Sequence, residues 1–183
     1  MSITYETVSK DPAVRTYIQR ADESLTALGY TEHSFAHVAK VADVAQEILA
    51  ELGYPQRLQE LARVAAFLHD IGNVVNRVDH AQTGAIMAFR ILDSMGADPE
   101  DTATIITAIG NHDEATAFPV NAVAAALILA DKTDVRRSRV RNPDATQFDI
   151  HDRVNFAVRR SGVHVNKEKK EIQLRLSIDN AAC

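Results

Sequence analysis

At 183 residues and 20.1 kDa the chain can bury a sizeable core but is short for a second full domain, since chains of this size bury roughly 70% of the surface they expose unfolded. Apolar residues at 46% and charged residues at 25% exclude disordered and fibrous classes. A formal charge of −5 argues against a protein whose main task is coating nucleic acid, because that relies on Lys and Arg neutralising phosphates.

The start, "MSITYETVSKDPAVRTYIQRADES", has no basic stretch followed by an apolar core, so no secretory signal is expected. The longest apolar run, "AVAAALILA" over 122–130, is far below the roughly 20 residues a membrane span needs. Cys183 is the one cysteine, which rules out an internal disulfide and zinc-finger ligation. A soluble cytoplasmic protein is the expectation.

In chain order, periodicity and punctuation predict a helix near 11–28 and another near 34–52, ended by Gly53. In "RLQELARVAAFLHD", Leu58, Leu61, Ala65 and Leu68 share a face, and Pro55 sits just before the run, where a missing amide proton costs little. "HAQTGAIMAFRILDSMG" sets Ile86, Phe89, Arg90 and Leu92 at helical spacing, with Gly96 suited to the left-handed residue after a helix. Asp98 then caps, and Pro99 opens, the helix in "ADPEDTATIITAIGNH". Further helices near 120–137 and 150–160 make about seven. In the tail Ile172, Leu174, Leu176 and Ile178 alternate with polar residues, so "VHVNKEKKEIQLRLSID" reads as a hairpin with a charged turn and one buried face. A lone hairpin is only marginally stable. This one should therefore lie on the helices or pair with another subunit, and a homodimer is expected.

If the helices pack as one bundle, His37, His69-Asp70, His112-Asp113 and Asp131 draw together, with His80 among them. Imidazoles and carboxylates without thiols suit Mn, Fe, Co, Ni or Mg. A single His in an apolar helix is more often a hydrogen-bonded core residue than a ligand. The acids carry more information: Asp70 follows "VAAFL" and Asp131 follows "AVAAALILA", and a buried unpaired carboxylate is costly enough to require a cation or strong donors. A cap or a salt bridge would explain either acid alone.

These residues, in "HVAKVA" (His37), "AAFLHDIGN" (His69, Asp70) and "ILADKTD" (Asp131), resemble the HD-domain metal-dependent phosphohydrolase superfamily. The resemblance covers roughly 30–140 and implies an all-α HD-type helical bundle, here one domain over 1–183 with a C-terminal helix and hairpin at about 149–179. It further implies that His37, His69, Asp70 and Asp131 ligate one divalent metal. Branches with two metals carry two more histidines between the doublet and the last Asp, where "DHAQTGA" (His80) and "IGNHDE" (His112) stand. Asp70 would then bridge the two ions. The Gly-Tyr-Pro element of the cyclic-dinucleotide phosphodiesterase branch does not follow "HDIGN".

His33 falls one turn before His37 and would touch substrate phosphate or support a ligand; capping or exposure is the alternative. Asp113 and Glu114 would orient His112 or belong to a solvated loop. Lys132, Arg136, Arg137, Arg139 and Arg141 form a basic cluster, and the spacing of Lys132 and Arg136 places both on one helical face, suited to phosphate oxygens if the run is more than a solvated face. The function expected is hydrolysis of a phosphoester or phosphoanhydride of a nucleotide or small phosphorylated metabolite by metal-activated water, with Asp70 or a neighbouring acid accepting its proton and Lys132 and Arg136 stabilising charge. Two alternatives stay open. One is a di-iron oxygenase of the same superfamily; the other is a non-catalytic metal-stabilised module that binds RNA or a partner through 132–141. Nucleic acid is not the favoured ligand, because aromatics are 5% with no Trp for stacking single strands.

Overall fold

The computed structural model describes residues 3–181, so Cys183 lies outside it. The helices are α1 (Tyr5–Lys10), α2 (Pro12–Ala27), α3 (Phe35–Glu51), α4 (Gln56–Leu68), α5 (His80–Ser94), α6 (Pro99–Gly110), α7 (Ala122–Thr133) and α8 (Ile150–Ala157). An antiparallel hairpin, β1 (Val158–Asn166) and β2 (Glu171–Ile178), follows. None of these helices is long and apolar enough to cross a membrane.

Local chemistry sets most boundaries. Asp11, Ser34, Asp98 and Asn121 each accept a hydrogen bond from a backbone amide of the helix they precede, which removes an orphan donor and stabilises by about 1 kcal/mol. Gly53 and Gly96 follow α3 and α5 with positive φ, the backbone that lets a helix stop abruptly.

The centre of the bundle is α4. Its last five residues, Val64, Ala65, Ala66, Phe67 and Leu68, are buried on every side, and Leu61 and Ala62 before them are buried too. Helices α3, α6 and α7 pack around it, presenting small residues such as Ala42, Ala45, Ala108, Ala124 and Ala130 that allow close approach. A helix apolar all round belongs in the core, so whatever follows Leu68 emerges in the middle of the molecule. His69 and Asp70 follow. The first turn of α3, the first residue of α5, the turn after α6 and the last turn of α7 gather at that same end.

Some expectations need correction. The helix α1 was not legible, since six residues are too few to show a period; its capping box between Thr4 and Thr7 holds it. In α5 the buried face is Ala81, Gly84, Ala88, Ile91 and Leu92, while Ile86 and Phe89 face solvent. The helix expected to reach 137 ends at Thr133, and Arg136 has extended backbone. Lys132 and Arg136 therefore do not share a helical face. The hairpin's apolar face is only half covered: Val163 and Val165 of β1 pack on the core, but β2 is exposed along its length.

Candidate metal centre

Each imidazole at the bundle end is aimed by its other nitrogen. His69 Nδ1 lies 2.6 Å from the carbonyl of Ala66, His112 Nδ1 2.6 Å from that of Ile109, and His80 Nδ1 3.0 Å from that of Arg77. His37 Nδ1 lies 2.9 Å from the Asp134 carboxylate. Carbonyl and carboxylate oxygens only accept, so each Nδ1 carries a proton, and in the neutral ring each Nε2 is left with its lone pair. Those lone pairs converge. His37 Nε2 is 3.4 Å from Asp131 Oδ1 and 3.7 Å from Asp70 Oδ2; His69 Nε2 is 3.2 Å from Asp70 Oδ2 and 3.7 Å from Asp131 Oδ1. His80 Nε2 faces the other Asp70 oxygen at 3.6 Å. The His69 and His112 rings stand edge-to-face at 4.9 Å, and those of His80 and His112 at 5.1 Å.

His37 Nε2 and His69 Nε2 are fully buried, and neither has a hydrogen-bond partner among the described residues. Ring nitrogens buried against carboxylate oxygens need a positive charge between them, either a proton or a metal ion. The donor set fits a divalent ion of borderline hardness. Two overlapping groups have atoms close enough to hold one, His37-His69-Asp70 and Asp70-His80-His112, and they share Asp70. Asp131 adds its oxygen on the side of the first group.

This arrangement lies inside a stretch, residues 34–153, that matches the family model for the HD domain. The chain is an HD-domain protein. The chain is also similar to the uncharacterized protein MJ1020 of Methanocaldococcus jannaschii, 25% identical over 97% of this chain and 77% of that one. A crystal structure described as a predicted HD superfamily hydrolase, from an uncultured Thermotogales bacterium, aligns with a TM-score of 0.51 at 26% identity, over 72% of this chain and 73% of that one.

Charge in the HD-domain site follows from the packing. Burial disfavours the His69 imidazolium, but the Asp70 and Asp131 carboxylates outweigh it and raise His69 to about 9. That is the pull the site exerts on any cation. Burial lowers His33 and His112 to about 4. Burial alone would raise Asp70 and Asp131, yet the neighbouring imidazoles hold both well below the usual carboxylate range.

Around the cluster is a cavity of about 270 Å³ whose lining includes Tyr30, His33, Arg77, Asp113, Lys132 and Val154. His33 precedes α3, because Ser34 is its cap, and its ring lies 5.3 Å from that of His37. Asp113 approaches His80 at 3.9 Å rather than orienting His112, and Glu114 lies 3.6 Å from Lys132 Nζ. Asp79, the acid beside His80, is exposed with a left-handed backbone and stays outside the cluster.

The basic run divides. Lys132 reaches the site, 3.1 Å from Asp131 Oδ2. Arg136 instead bonds Glu32 at 2.7 Å and Asp134 at 2.9 Å. Arg137 binds the Phe156 carbonyl and Asp179, Arg139 the carbonyls of Glu32 and Asp134, and Arg141 binds Asp22. Arg136 is thus a structural tie rather than a free phosphate ligand.

Sequence reasoning missed three supporting residues. Asp134, 1% exposed, orients His37 and collects Lys40, Arg136 and Arg139; an acid three residues after Asp131, inside a basic run, was the available signal. Asn73 donates to Asp70 Oδ1 at 2.8 Å, and "HDIGN" places it three residues on. Arg77 stacks on Tyr30 and makes only long contacts, 3.4 Å to Asn73 and 3.3 Å to His80 Nε2, with no carboxylate partner among the described residues.

Proposed function

We propose that this protein is a metal-dependent phosphohydrolase acting on a small phosphorylated metabolite or nucleotide, with a dinuclear site. The observation that carries the reading is the convergence of buried Nε2 lone pairs on the Asp70 and Asp131 oxygens, with every Nδ1 already engaged. In it His37, His69 and Asp131 would hold one divalent ion and His80 and His112 the other, with Asp70 common to both groups. Such ions supply a hydroxide nucleophile near neutral pH and neutralise phosphoryl charge.

The chain's own residues do the rest. Asn73 fixes the Asp70 carboxyl through its amide. Lys132 and Arg77 stand on the cavity wall and bind the phosphoryl oxygens, Arg77 with a two-pronged fork. Lys132 keeps its proton, since the Asp131 carboxylate more than offsets burial and raises it. Tyr30, Ile150 and Val154 are exposed apolar surface at the cavity and suit a small organic group rather than a long strand.

The test is phosphate release from a panel of phosphomonoesters and nucleotides by protein loaded with Mn²⁺, beside Asp70→Ala. Turnover of at least one substrate that falls to background in the variant, with far-UV circular dichroism unchanged, is expected. Equal turnover by both proteins overturns the reading, and oxygen consumption without phosphate release would assign the same ligands to an oxygenase.

A further inference from the structure

We propose that the protein forms a two-fold dimer in which β2 pairs antiparallel with β2 of a second copy, centred on Leu174. This rests on the hairpin and is independent of the proposed activity. The described sheet has the order β1-β2, so the outer edge of β2 has no strand beside it. Its even-numbered side chains are apolar and open: Ile172 is 39% exposed, Leu174 45%, Leu176 38% and Ile178 52%. They lie on the face that β1 turns toward the helices, because Val165 is opposite Ile172 and Val163 opposite Leu174, and both valines pack on the core. The apolar row therefore overhangs the helical body beside an unpaired backbone edge, the combination that recruits another strand.

A second copy of this chain fits that edge by register and by charge. A two-fold axis between residues would set Leu174 opposite Arg175 and mix polar with apolar side chains on one face. Centring on Arg175 opposes two like charges, which destabilises, and centring on Gln173 pairs only 171–175 of each strand. Centring on Leu174 pairs 171–177 of both strands. It sets Ile172 opposite Leu176, Leu174 opposite itself and Gln173 opposite Arg175, with Glu171 diagonal to Arg175. It also carries the Lys169 end of the turn to Asp179. Both helical bodies then lie on the same side of a four-stranded sheet, and the two apolar rows fill the space between them.

Light scattering of the full chain should give about twice 20.1 kDa. Leu174→Arg should halve it without changing helicity, because Leu174 is exposed and outside the helical core. In a Cys183→Ser background, Leu174→Cys should form an intermolecular disulfide under mild oxidation, whereas Gln173→Cys and Arg175→Cys should not. A monomeric wild type at micromolar concentration overturns the proposal, as does cross-linking at 173 or 175 that equals or exceeds that at 174.

Discussion

In the His–Asp cluster the polar atoms converge without satisfying one another, whereas in the run from Arg136 to Arg141 the guanidinium groups are satisfied by oxygens of their own chain. Both groups are charged and both border α7, yet only the first has atoms left over. Leftover buried donors and acceptors are expensive, so their retention points to a ligand, while charges answered internally point to structure. Asp134 belongs to both regions. Its carboxylate orients His37 and also neutralises Lys40 and Arg136.

That double role makes Asp134→Ala the harshest test of the contrast. Removing it strands partly buried cations and should cost about 3–5 kcal/mol in urea unfolding; losing its hold on His37 should also weaken metal binding about 10–100-fold. A variant that loses stability but binds Mn²⁺ normally would separate the two regions.

Gly72→Ala probes the cluster from its backbone. A Cβ at Gly72 would come 2.0 Å from the His80 carbonyl and 2.6 Å from the Gly84 nitrogen, so the close packing of the 71–74 turn on the start of α5 must open. Overpacking of this kind costs about 1–3 kcal/mol, read as a drop in Tm. The second metal equivalent should be lost before the first, because α5 carries His80 while His37 and His69 sit elsewhere.

Smaller effects separate the cations. Lys132→Ala and Arg77→Ala should each lower kcat/KM by about 10–100-fold, the loss of one or two charge-assisted bonds, with Tm nearly unchanged. Arg136→Ala should do the reverse, lowering Tm and leaving kcat/KM of the folded enzyme close to wild type. The smallest effect is at Asp179, where hydrogen bonds from Arg159 and then Arg137 lower the carboxyl from 3.8 to about 2. A depressed carboxyl stabilises the fold above its unfolded value and loses that contribution as pH falls through its folded value. The Tm difference between wild type and Asp179→Ala should therefore be constant from pH 7 to 5 and close as the pH approaches 2.

Much of this was legible in the chain. Asp98 with Pro99, Gly53 and Gly96 fixed helix ends because capping is local chemistry, and the apolar run before His69-Asp70 announced an acid delivered into the core. The end of α7 was not legible. Lys132 to Arg136 has ordinary helical propensity, but Asp134 is drawn inward by His37 and Arg136, contacts made across 97 residues in one case and two in the other. The same distance in sequence hid the partners of Arg139 and Arg141, at 107 and 119 residues. In β2 the alternation was plain, but alternation states that a face wants cover without stating what covers it.

The measurement that bears most directly on the central claim is elemental analysis of protein purified without added metal, beside Asp70→Ala and the double variant His80→Ala/His112→Ala. About two divalent ions per chain are expected in the wild type, about one in the double variant and none in Asp70→Ala. No bound ion even after incubation with Mn²⁺, or equal metal in wild type and Asp70→Ala, would contradict it.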